Sequence, residues 1–170
     1  MGFQTAGAQV SLPEAGIVRV ERTFDAPRAL VFRAYTETDL IRRWLLGPSG
    51  WTMPVCEMDV REGGTFRWRW RSEEDGSEFG FHGEFVEVRA PELLRHTEAF
   101  DPGETGFDMG DQPAMVSVLF EESEGRTKVT TVIDYGSGEA RDAALATGMT
   151  DGMEESYKRL DGILAEGVAV

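Results

Sequence analysis

Residues Phe66 to Phe85 read FRWRWRSEEDGSEFGFHGEF. Arginines and aromatics alternate, an acidic segment follows, and aromatics return at every second position. Period-two alternation on both sides of a turn is the signature of a β-hairpin. Asp75-Gly76 suits a two-residue type I′ turn, which needs φ above zero at both central residues. That turn predicts Trp70 opposite Phe81, Trp68 opposite Gly83 and Phe66 opposite Phe85. On the other face it sets Arg69 against His82 and Arg67 against Glu84. All the aromatics then share one face, and the arginines lie on the other near acidic partners. A one-residue slip would mix the faces, so the register is expected to be strongly specified. The arginine face reads as solvated, with weak cross-strand ion pairs. The aromatic face is either packed core or the wall of a cavity.

Working outward, Ile17–Phe24 (IVRVERTF) alternates as a first strand. Asp25-Ala26-Pro27 marks a helix start with Asp25 as N-cap, and two short helices follow, carrying Leu30, Val31, Ala34 and Tyr35, then Leu40, Ile41, Trp44 and Leu45. Gly47-Pro48-Ser49-Gly50 ends them. Met53–Val60, Leu93–Phe100, Met115–Glu121 and Lys128–Tyr135 complete the predicted strands. Asp101–Pro113 reads as a long loop. From Glu139 to about Glu166 the pattern is helical, with Met149, Met153, Tyr157, Leu160 and Leu164 on one stripe. Consecutive strands with short turns predict an antiparallel sheet of about seven strands, and the long helix must bury its stripe against it. The expected class is α+β, with residues 16–170 as one domain behind a flexible tail over residues 1–15.

The chain has 170 residues and a net charge of -14. Such a field repels phosphate backbones and anionic surfaces, so no nucleic-acid partner is expected. No apolar run approaches the about 18 residues of a membrane span. The opening MGFQTAGAQVSLPEAG has neither the basic nor the apolar region of a signal peptide, and Ala6 misses the myristoylation pattern. Cys56 is the single cysteine. It reads as a half-buried hydrophobe and fits a reducing, cytoplasmic setting. Metal-ligand spacings, P-loops, Rossmann glycines and nucleophile triads are absent, so neither metal nor cofactor is expected.

Four stretches in this order resemble a known family: FDAPRALVFRAYTETDLIRRWLLGP, MDVREGGTFRWRW, FHGEFVEVRAPELLRHTEAF and TGMTDGMEESYKRLDGIL. Together they are similar to the START-like (SRPBCC) superfamily, in the branch of the heat-shock protein 90 ATPase activator homologues. The resemblance spans Ile17 to Glu166. It implies a helix-grip fold, a bent antiparallel sheet around the C-terminal helix with an elongated apolar cavity between them. Members bind lipids, sterols, polyketides and other hydrophobic molecules, and some are cyclases or aromatase-like enzymes. The resemblance implies no catalytic motif, because one fold hosts many functions.

The expected pocket wall combines Trp44, Trp51, Trp68, Trp70, Phe81, His96, Phe120, Met149, Met153 and Tyr157, an adaptable apolar lining. The mouth is expected between the 101–113 loop and the Trp44–Trp51 segment. His82 falls on the outer face. His96 points with Leu94 toward the interior, where Glu98 or Tyr157 would make it a general acid or base. Three functions follow in order: binding of a small hydrophobic ligand as carrier or sensor, cyclase- or hydrolase-type chemistry with His96 and Tyr157, and a co-chaperone-like interaction module. A homodimer is compatible with the sequence, which specifies none.

Overall fold

Alternation in sequence becomes alternation in burial. In strand β2 (Ile17–Phe24), Val18, Val20, Arg22 and Phe24 are buried and Arg19 is exposed. The computed structural model describes residues 7–103 and 113–167. β1 (Gln9–Ser11) precedes β2, and helices α1 (Arg28–Thr36) and α2 (Thr38–Trp44) follow it. Then come β3 (Trp51–Met58), β4 (Thr65–Ser72), β5 (Glu78–Arg89), β6 (Leu93–Asp101), β7 (Ala114–Ser123) and β8 (Arg126–Asp134). Helices α3 (Gly138–Leu145) and α4 (Met149–Ala165) close the chain. The eight strands form one antiparallel sheet in the order β1-β2-β8-β7-β6-β5-β4-β3. The α+β class and the sheet-with-helix architecture are those expected. No helix among the described residues is long and apolar enough to cross a membrane.

Four local expectations are corrected. Residues 9–11 of the expected tail form an additional strand on β2, with Val10 opposite Val20. The β4–β5 hairpin is shifted by two residues from the predicted pairing. Trp70 faces Phe79, Trp68 faces Phe81, Phe66 faces Gly83 and Arg67 faces His82. The turn is longer than two residues. Ser72 N donates to Ser77 O at 2.8 Å and Gly76 N donates to Ser72 O at 2.9 Å. The Asp75 carboxylate accepts from Ser77 N at 2.9 Å, and Ser72 Oγ accepts from Glu74 N at 3.2 Å. These side-chain-to-backbone bonds make the wider turn the better satisfied one. Because the shift is even, every side chain keeps its face.

The predicted single C-terminal helix is two. Thr147 Oγ1 donates to the Ala144 carbonyl at 2.6 Å, and Gly148 then takes φ of 81°, a left-handed conformation that ends α3. At the start of α1, Asp25 does not cap. Pro27 occupies the N-cap, and the free Arg28 N–H donates instead to Glu122 Oε1 on β7 at 2.7 Å.

Two apolar clusters fill the inner side of the sheet. The larger joins Val18, Val20 and Phe24 of β2, Val116, Val118 and Phe120 of β7 and Val129 and Ile133 of β8 to α1, Trp44 and the Tyr157, Leu160, Ile163 and Leu164 stripe of α4. The smaller joins Met53, Cys56, Phe66, Trp68, Trp70 and Phe85 to Ile41 of α2. Edge strand β3 carries Pro54 at a register irregularity between Thr52 and Val55, where a missing N–H costs no ladder bond.

Arg22 fastens α4 to the sheet. It is 4% exposed. Its Nη1 and Nη2 donate to the two carboxylate oxygens of Asp161 at 2.9 and 2.7 Å. Nε and Nη2 also reach Glu154 at 3.2 and 3.3 Å. Burial alone would lower its pKa, but the hydrogen bonds to Asp161 and Glu154 outweigh that and raise it above the ordinary arginine value. Glu154 also accepts from Ala8 N at 2.8 Å, which ties the segment leading into β1 to the same helix.

Candidate functional site

The expected pocket residues divide between the two clusters. Trp44, Phe120 and Tyr157 are buried in the larger one, with Met149 and Met153 packed at its margin. Trp44 Nε1 donates to the Ala34 carbonyl at 2.9 Å, and its ring stacks on Tyr157 at 6.4 Å. Trp68 and Trp70 are buried in the smaller cluster, with Trp51 and Phe81 at its margin. Trp70 Nε1 donates to the Leu45 carbonyl at 2.7 Å. The hairpin aromatics therefore meet α2 and the segment after it. Among the described residues, none from α4 joins their cluster.

The aromatic face is graded. Phe66, Trp68, Trp70 and Phe85 are buried, whereas Phe79, Phe81 and Phe100 are only half-buried. The half-buried rings form one chain of contacts. Trp51 meets Phe79 at 5.2 Å, Phe79 meets Phe100 at 6.0 Å, and Phe100 meets Phe81 at 5.3 Å. On β6 the same face continues through Glu98 to His96, since Leu94, His96, Glu98 and Phe100 alternate with the outer residues. Glu98 pairs with buried Ala114 of β7. Beyond it stand Tyr135, whose hydroxyl donates to Met149 Sδ at 3.1 Å, and the first turn of α4. The candidate site is this run of accessible aromatic and polar side chains on the helix-facing side. The segment expected at its mouth, over residues 104–112, lies outside the described residues, and Asp101 belongs to β6.

His96 is 6% exposed, with the rings of Phe66, Phe85 and Trp68 at 4.9, 5.7 and 6.2 Å. Burial pulls its pKa down to about 4, so it is neutral at physiological pH. Its Nδ1 lies 3.1 Å from the Thr97 carbonyl, an acceptor that places the proton on Nδ1. The Glu98 Oε2 is 4.0 Å away from the same nitrogen, beyond hydrogen-bond reach. Burial pushes the Glu98 carboxyl up to about 7, and no arginine or lysine among the described residues offsets it. The Tyr135 phenol is raised too, by burial first and by the Glu98 charge second. Tyr157 lies with Phe24, at 5.5 Å, and with Trp44, so the two residues weighed as a catalytic pair have separate ring neighbours.

Glu98 is the residue whose prominence sequence reasoning undervalued. Its signal was an acid on the inner register of β6, two positions after His96. Trp68 Nε1 is buried and has no hydrogen-bond partner among the described residues. Cys56 faces Trp68 across β3 and β4, and burial raises its thiol pKa, which makes it a packing residue rather than a nucleophile. Among the described residues no three His, Cys, Asp or Glu side chains converge as a metal site requires. A separate depression of about 820 Å³ lies on the outer side of β3–β6, among Glu57, Thr65, Arg67, His82 and Glu84. The outer face is otherwise laced by ion pairs, with Arg69 reaching Glu78 at 3.0 Å and Asp101 at 2.6 Å.

A sheet that wraps helices on one side, with a half-buried aromatic lining, defines a helix-grip protein. The chain belongs to the family of Activator of Hsp90 ATPase homolog 1-like proteins, whose model matches residues 25–165. The structure is similar to a crystal structure from Rhodobacter sphaeroides, with 30% identity, a TM-score of 0.84, and coverage of 95% of this chain and 99% of that one. It is similar as well to a solution structure from Arthrobacter aurescens, at 25% identity and TM-score 0.77, covering 94% and 92%. An AHSA1-like protein from Aeromonas hydrophila shares the fold at 22% identity and TM-score 0.66, covering 89% and 95%. No curated protein matches the chain.

Proposed function

We propose that the protein binds a small hydrophobic molecule against the helix-facing side of its sheet, as a carrier or sensor. The observation behind this reading is the contact chain of Trp51, Phe79, Phe81 and Phe100. These rings stay half-buried although they lie on the inner face. Large apolar rings left part-exposed beside a packed core are characteristic of a ligand lining, and burying them against a ligand is favourable by about 25 cal/mol per Å². Met149 and Met153 border the same side and supply adaptable contacts.

Native mass spectrometry of the full chain, followed by organic extraction, tests it. The expected result is a co-purifying small molecule, or uptake of a fluorescent apolar probe, that Phe81→Asp weakens at least about tenfold. Absence of both in the correctly folded wild-type protein would overturn it.

A further inference from the structure

Among the described residues, the inner-side acids Glu122, Glu154 and Asp161 have hydrogen-bond donors, in the Arg28 N–H and the Arg22 guanidinium, whereas Glu98 has none. Glu98 sits on the inner register of β6 and makes no hydrogen bond among the described residues, its Oε2 being 4.0 Å from His96 Nδ1. Its side chain keeps 21% of its surface accessible, so a small molecule lying on the aromatic strip can reach it. Phe100 is the next inner-facing residue on β6 and meets Phe81 at a tilt, while Tyr135 approaches from the β8 side. The buried cation of the interior, Arg22, is taken by Asp161 and Glu154. An unpaired carboxyl beside aromatic rings is the pairing that recognises an ammonium group, through charge-assisted hydrogen bonds and cation–π attraction. A carboxylate ligand would meet the opposite situation: an acid with no base beside it among the described residues. The net charge of -14 adds a field that concentrates cations and repels anions.

We propose that the ligand is an apolar amine, its ammonium group held by Glu98 beside Phe81, Phe100 and Tyr135, and its apolar body laid along Phe79 and Trp51. This rests on the hydrophobic-ligand reading above and adds the chemistry of the head group. Binding forms no covalent bond. The ammonium stays protonated, and Glu98 binds it as the carboxylate.

The test is titration of the full chain with octylamine, octan-1-ol and octanoate at pH 8 and roughly physiological salt, where surface attraction is screened. Calorimetry gives the affinities and tryptophan fluorescence reports on the strip. Octylamine is expected to bind about tenfold or more tighter than octan-1-ol, and octanoate more weakly than either. Glu98→Gln is expected to erase the preference for octylamine over octan-1-ol. Equal binding of amine and alcohol, tighter binding of octanoate, or an amine preference that survives in Glu98→Gln overturns the head-group proposal and leaves the hydrophobic-ligand reading standing. If none of the three binds, both readings fall.

Discussion

Glu98 and His96 titrate in opposite senses, and both contribute to the pH response of the fold. The folded state holds His96 at about 4 against 6.5 for an ordinary histidine. As pH falls through that window the unfolded chain gains a proton that the folded one refuses, so stability falls with acidification. The folded state holds Glu98 at about 7 against 4.5 for an ordinary glutamate. There the folded chain keeps a proton that the unfolded one has released, so stability falls as pH rises. Between pH 4.5 and 6.5 the two slopes oppose each other. Urea unfolding at several pH values is expected to show a shallow wild-type profile there. In Glu98→Gln the slope that opposes the histidine is removed, and the His96 contribution should raise stability by on the order of 2 kcal/mol from pH 4.5 to 6.5. An unchanged profile in the variant would mean that Glu98 is not desolvated. Both residues could be placed on the inner face from period-two spacing. Their protonation could not, because it depends on which rings and strands exclude water around them.

Among the elements, the β4–β5 hairpin shows how far local sequence reaches. Alternation assigned each residue to its face correctly. The turn type failed, because Asp75-Gly76 also fits a wider turn in which Ser72 and Asp75 satisfy backbone donors. Face membership survives an even shift, whereas partner identity does not. Two glycines separate the kinds of constraint involved. A side chain at Gly83 would strike the Thr97 carbonyl and come within 2.8 Å of the Phe66 ring. Gly148 has open space around it but φ of +81°. Gly83→Ala is expected to lose about 1–3 kcal/mol by overpacking, and Gly148→Ala about 1–2 kcal/mol by backbone strain alone. Chemical denaturation of both variants checks the pair. Since only backbone strain is at stake at position 148, Gly148→Asn should recover part of the loss there.

Across the whole molecule, the fold depends on contacts that join the two ends of the chain. Arg22 binds Glu154 and Asp161, more than a hundred residues away in sequence. Arg22→Ala leaves two acids facing a buried gap and is expected to destabilise the protein by about 3–5 kcal/mol, read by urea unfolding. A loss near 1 kcal/mol would show the cluster to be solvated and weak. Nothing in IVRVERTF marks Arg22 as different from Arg19 except its register. By itself the sequence determined the α+β class, the face of every hairpin residue, the long amphipathic stripe and the family, because periodicity and local motifs are properties of neighbouring residues. Only the tertiary structure decided the hairpin partners, the break at Gly148, the split of the aromatic set between two clusters and the exposure of Phe79, Phe81, Glu98 and Phe100. Those depend on which distant elements pack against each residue, and that packing alone determines whether an inner-facing side chain closes a core or borders open space.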